Sequence, residues 1–181
     1  MERPYTDFVG KVWEKFPQLA QLHSLENITL PNWNLDQFVE AGYHNFTAER
    51  KALYHLSKLI ESYAQENYKP LLATFEKIAR FKFVDRRYST IINQIPKIWI
   101  VGDFEKTQFH LSPKIDVLNC KNTDLVNVWS VITHGSHGPF GLIAEEFEDD
   151  KFRGFFTSDP NVCRYALKVM GKTLGVKFTI Q

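Results

Sequence analysis

The chain has 181 residues, with 22 basic and 21 acidic side chains for a formal net charge of +1, and 44% of its residues are hydrophobic. That length suits one domain with an extension and a core of useful size, and the near balance of charge, without a long run of one sign, argues against a general nucleic-acid surface. Two cysteines, Cys120 and Cys163, make no disulfide framework, and no apolar run is long enough for a signal-peptide core or a bilayer span, so the expectation is a reduced cytoplasmic protein.

Phe8, Val9, Val12, Trp13, Phe16 and Leu19 share one helical stripe between residues 6 and 22, which Pro17 is expected to kink or end. Asn27, Pro31, Asn32 and Asn34 mark a turn-rich connector, and residues 35–41 read as a short helix stopped by Gly42. Thr47 is expected to cap the next helix, whose apolar face reads as Ala52, Leu56, Leu59, Ile60 and Tyr63, with Lys51, Lys58 and Glu61 elsewhere. Residues 71–75 form a buried strand, 84–94 a helix, and 98–102 the clearest interior strand. That order suggests a parallel βαβ unit with a right-handed crossover. Gly102 and Asp103 then lie at a strand's C-terminal end, where open α/β sheets bind ligands.

Residues 115–118 read as a weaker strand. Residues 126–133 and 141–147 read as antiparallel neighbours joined through 134–139, and 152–157 as a further strand. Asp159 caps the last helix with Pro160 at its first position; Val162, Ala166, Val169 and Met170 supply its buried face, and Gly171 or Gly175 ends it. The expected fold class is α/β (α+β): a mixed, largely antiparallel sheet of about five strands flanked by helices. Residues 1–46 read as a helical extension and 47–181 as the domain.

No motif announces catalysis. His134 and His137 have a spacing that suits a metal, but no third ligand accompanies them, and a hairpin turn is the plainer reading. Gly171-Lys172-Thr173 resembles the tail of a phosphate loop without the loop. Cys163 reads as a small core residue. Arg86 and Arg87 in a helix's first turn oppose its dipole, which calls for a compensating carboxylate, with Asp85 the local choice, or an anionic ligand. The acidic strip Glu145, Glu146, Glu148, Asp149 and Asp150 reads as a solvated hairpin or as a face for a basic partner.

Several stretches together carry a resemblance: Pro70-Leu71-Leu72-Ala73-Thr74-Phe75-Glu76, Arg87-Tyr88, Trp99-Ile100-Val101-Gly102-Asp103-Phe104, Val128-Trp129-Ser130-Val131-Ile132, Leu142-Ile143-Ala144-Glu145-Glu146 and Phe152-Arg153-Gly154-Phe155-Phe156-Thr157-Ser158-Asp159-Pro160. From about Thr47 to Leu174 the pattern resembles the DICT domain, a sensory module found with diguanylate cyclases, two-component proteins and MerR-type regulators, often in cyanobacteria. The resemblance implies a non-catalytic signal-sensing or relaying module, often linked to light responses; it carries over no catalytic residue set and names neither a ligand nor a cofactor. The expected partners are a protein, a second copy, or a small-molecule ligand. The alternative is an adaptor or assembly factor that binds a protein through its N-terminal helices or acidic hairpin.

Aromatic and polar groups at strand ends and adjoining turns make Arg87, Trp99, Asp103, Trp129, His134, His137 and Phe140 the expected pocket. Trp13, Phe16, Trp33, Glu148, Asp149 and Asp150 are the expected partner surface, the three aromatic residues otherwise packing on the domain's own core.

Overall fold

The computed structural model describes residues 7–20, 29–77, 86–103 and 113–180. Its elements run α1 (Phe8–Lys15), α2 (Pro17–Ala20), α3 (Leu35–Ala41), β1 (Tyr43–Glu49), α4 (Arg50–Asn67), β2 (Leu71–Lys77), α5 (86–91), β3 (Ile98–Asp103), β4 (Ile115–Asn119), β5 (Val128–Gly135), β6 (Gly138–Glu148), β7 (Lys151–Thr157) and α6 (Pro160–Leu174). Short 3-10 turns stand at Ile92–Gln94 and Asp124–Asn127.

Seven strands make one sheet in the order β1-β7-β6-β5-β2-β3-β4. Four of the six pairings are antiparallel; β2 and β3, and β3 and β4, run parallel. The α/β class is as the sequence indicates, with two more strands than the expected five. The parallel part contains the anticipated strand–helix–strand unit, with α5 on the path from β2 to β3.

The sheet separates two apolar clusters. On one face Leu71, Ala73, Ile100, Trp129, Val131, Leu142 and Phe156 pack beneath α3, α4 and α5, which contribute Phe38, Leu53, Leu56, Ile60, Ala64, Tyr88 and Ile91. On the other face Leu72, Trp99, Val101, Val128, Ile132, Ile143 and Phe155 pack beneath α1, α6 and the C-terminal tail, which contribute Phe8, Val9, Val12, Val162, Cys163, Ala166, Met170, Phe178 and Ile180. Strands covered on both sides lose the polar–apolar alternation of a half-exposed sheet. β6 is accordingly buried at nine consecutive positions.

Local chemistry explains most boundaries. Asn34 and Gln37 form a reciprocal cap at the start of α3, and Gly42, at φ +79°, ends it. Phe16 separates α1 from α2, which Pro17 opens. Asp159 accepts from the Asn161 N–H at the start of α6, and Gly175 closes that helix in the left-handed region. Both cysteines are buried and free.

Three expectations change. Thr47 caps nothing: it lies inside β1, opposite Arg153 of β7, and α4 begins at Arg50 behind Glu49, whose side chain makes no cap bond. β1 goes unseen in sequence because Asn45 interrupts the β-forming Tyr43, Phe46 and Thr47, and the segment is extended by pairing with β7. The division expected between 46 and 47 falls within this strand. The turn between β5 and β6 is only Ser136-His137, so His134, Pro139 and Phe140 are strand residues. Gly138, at φ +127°, permits that turn, and a Cβ there would lie 2.8 Å from Pro160 Cβ. Finally, Glu61 is on the buried face of α4, only 2% exposed. Asn27 of the expected connector and Asp85 lie outside the described residues.

Candidate functional site

The residues of the expected pocket do not converge. Trp129 and Trp99 occupy opposite faces of the sheet, in different clusters. Trp99 meets Phe178 edge-on, with ring centroids 5.8 Å apart. Asp103 ends β3, whereas His134, His137 and Phe140 sit at the hairpin beside the start of β2, the opposite end of the parallel strands. His134 flanks the charges of Lys69 and Arg164, and burial together with those cations lowers its pKa. His137 and Phe140 line a small cavity of about 190 Å³ with Tyr63, Asp36 and Ser158. Asp103 keeps a buried carboxylate oxygen without a hydrogen-bond partner.

Two of the expected residues, Arg87 and Trp129, do share a site, and α4 brings them there. A period of 3.6 stacks Leu53, Leu56, Ser57, Ile60, Glu61 and Ala64 on the face of α4 that meets the sheet. Ser57 and Glu61 interrupt that apolar face one turn apart. The Trp129 indole N–H donates to Ser57 Oγ at 3.1 Å. Arg87 Nη2 stands 3.1 Å from Glu61 Oε2 as an ion pair and donates to the Lys58 carbonyl at 3.4 Å. The Tyr88 hydroxyl donates to Glu61 Oε1 at 3.4 Å. Phe75 of β2 packs between them, its ring 5.8 Å from Tyr88 and 6.5 Å from Trp129.

The electrostatics of this joint follow from burial. Removal from water pushes the Glu61 carboxyl up to about 7, against the attraction of Arg87, the Tyr88 hydrogen bond and the Lys58 charge. Tyr88 is driven well above the ordinary tyrosine range by its own burial and by the neighbouring carboxylate. The site therefore holds a carboxyl that titrates close to physiological pH, clamped between α4 and α5 against the sheet. Arg87 reaches solvent, with about a quarter of its side chain exposed.

The compensating carboxylate that Arg87 calls for is thus Glu61. Sequence reading places Leu56 and Ile60 on this face but completes it with Ala52, Leu59 and Tyr63, each one position away, and so misses Ser57 and Glu61. The available signal is a polar pair four residues apart inside an otherwise apolar stripe.

The expected partner surface is spent largely within the chain. Trp13 donates to the Tyr43 hydroxyl at 2.9 Å, Phe16 meets Tyr165 edge-on, and Trp33 packs on Phe38 and His44. Glu148 pairs with Lys151 and Asp150 with Arg50, and both acids remain solvent-exposed with Asp149 at the hairpin tip. Burial pushes the Cys120 thiol up to about 12 and the Cys163 thiol higher still, so neither supplies a thiolate. Among the described residues no three His, Cys, Asp or Glu side chains gather as metal ligands, and no helix is long and apolar enough to cross a membrane.

No protein-family model and no curated protein matches the chain. Among solved structures it is similar to the polyphosphate kinase of Porphyromonas gingivalis over 72% of its own length, with 11% sequence identity and a TM-score of 0.49. The match spans 23% of the kinase chain. A likeness that faint carries no argument about chemistry.

Proposed function

We propose that this protein is a non-catalytic sensory or relay module of the DICT kind, working in the cytoplasm of a bacterium, in the cyanobacterial and light-related setting the sequence resemblance implies, and acting through a small ligand or a protein partner. One observation carries the reading: the buried Glu61 carboxyl, which titrates near pH 7, joins α4 to α5 over one face of the sheet through Arg87 and Tyr88. A buried ionisable joint between two helices has two charge states with different packing. A ligand or partner that favours one of them shifts the population of both helices. The raised thiols of Cys120 and Cys163, and the pairing of Glu61 within the protein, suit a switch better than an open catalytic cleft.

The test is purification of the full chain from its native cells, with the eluate examined by native mass spectrometry and absorbance. A molecule or protein held at about one-to-one stoichiometry, whose removal alters hydrogen exchange in α4 and α5, supports the proposal. Multiple turnover of a substrate by the pure chain overturns it.

A further inference from the structure

A second buried carboxylate lies on the other face of the sheet, under α1. Glu145 projects from β6 next to Arg153 of β7, its partner across the strands, and is 0% exposed. Its Oε2 accepts the Phe8 N–H at 2.6 Å, in a buried bond that spans 137 positions of sequence. Phe8 opens α1, so this bond ties the positive end of the helix to the sheet. Phe8, Val9 and Val12 then bury themselves against the cluster containing Leu125, Val128, Ile143 and Phe155.

Among the described residues the charges around Glu145 are few. From α1 come Asp7, which accepts from the Gly10 N–H at 2.8 Å, and Lys11, which pairs with Asp124 of the 3-10 turn before β5. From β7 comes Arg153, whose Nη2 lies 3.0 Å from Asp7 Oδ1 but 3.8 Å from Glu145 Oε1. That oxygen accepts no hydrogen bond. Among the described residues, three carboxylates thus face two cations, and each cation is committed more closely to another acid. An ionised Glu145 has one N–H and a distant, shared guanidinium in place of water. Burial accordingly pushes its carboxyl up to about 7; the Phe8 N–H and Arg153 oppose the shift, and Asp7 and Asp124 add to it.

We propose that α1 is a strap released by ionisation of Glu145: the helix is held while the carboxyl keeps its proton, and lifts when the proton leaves and the carboxylate seeks water. Lifting uncovers the apolar surface formed by Leu125 of the 3-10 turn and by Val128, Ile143 and Phe155 of the sheet. The strap is separate from the α4–α5 joint and does not depend on the function proposed for it.

Hydrogen–deuterium exchange of the full chain across about pH 5 to 8, corrected for intrinsic rates, tests the strap. The expected result is that protection of the α1 amides falls by up to about tenfold per pH unit until about pH 7 and then levels, while β5 and β6 stay protected. In Glu145→Gln the slope disappears. In Val12→Ala protection drops at every pH and the slope remains. A flat or rising α1 profile, a slope that survives Glu145→Gln, or α1 exchanging in step with β5 overturns the proposal. Should Glu145→Gln not fold, the side-chain carboxyl carbon of Glu145 is titrated by NMR in the unaltered protein. A midpoint well above 4.5 supports the strap, and one at or below 4.5 overturns it.

Discussion

Replacing Glu61 by Gln tests how burial governs this fold. The carboxyl moves from 4.5 in the open chain to about 7 in the folded protein, with desolvation the largest cause. The folded state therefore holds the proton more tightly than the unfolded state. Its contribution to stability is fully present below pH 4.5 and is lost as pH rises to about 7. At 1.36 kcal/mol per pH unit the loss is about 3 kcal/mol at pH 8. Gln has the same shape and does not titrate. It forgoes the Arg87 ion pair, but that guanidinium already reaches solvent and can turn outward. Removing one partner of a buried pair is costly when the other charge stays buried, and the exposure of Arg87 spares it that cost. Urea unfolding of both proteins at about pH 5 and pH 8 measures the effect. The variant should gain stability relative to the parent as pH rises, by about 1–3 kcal/mol at pH 8. A variant that is less stable at pH 8, or a difference that does not change with pH, would refute the reasoning. Glu145 titrates in both proteins and largely cancels from the comparison.

Arg87→Ala leaves Glu61 buried without its cation and should cost about 3 kcal/mol at pH 8 and much less at pH 5, read from the same urea curves. Trp129→Phe loses the bond to Ser57 and strands that hydroxyl under α4, a destabilisation of about 1–2 kcal/mol visible in thermal unfolding. Gly154→Ala would set a Cβ 2.1 Å from the Ile143 carbonyl oxygen, so the β6–β7 pair must shift. A loss above about 3 kcal/mol, or failure to fold, is expected by circular dichroism. Both thiols should resist a thiol reagent in the native protein at neutral pH and react promptly in denaturant, since both are buried.

The sequence by itself determined elements whose signals are local. The cap at Asp159-Pro160, the stops at Gly42 and Gly175, the break at Pro17 and the dense apolar runs of β2, β3, β5 and β7 need only neighbouring residues to act. The need of Arg87 for a carboxylate is also a local argument, from the charge of a helix's first turn. Tertiary structure decided the rest. β1 exists because β7 offers it a partner at every residue, and no spacing within Tyr43–Glu49 announces that pairing. Glu61 and Glu145 read as solvent-facing acids until α5 and α1 cover them. A carboxylate's burial depends on what packs over it, and here the covering residues lie 26 and 137 positions away. The same cause scatters the expected pocket: alternation within a strand sends Trp99 and Trp129 to opposite faces only once the register of β2, β3 and β5 is set.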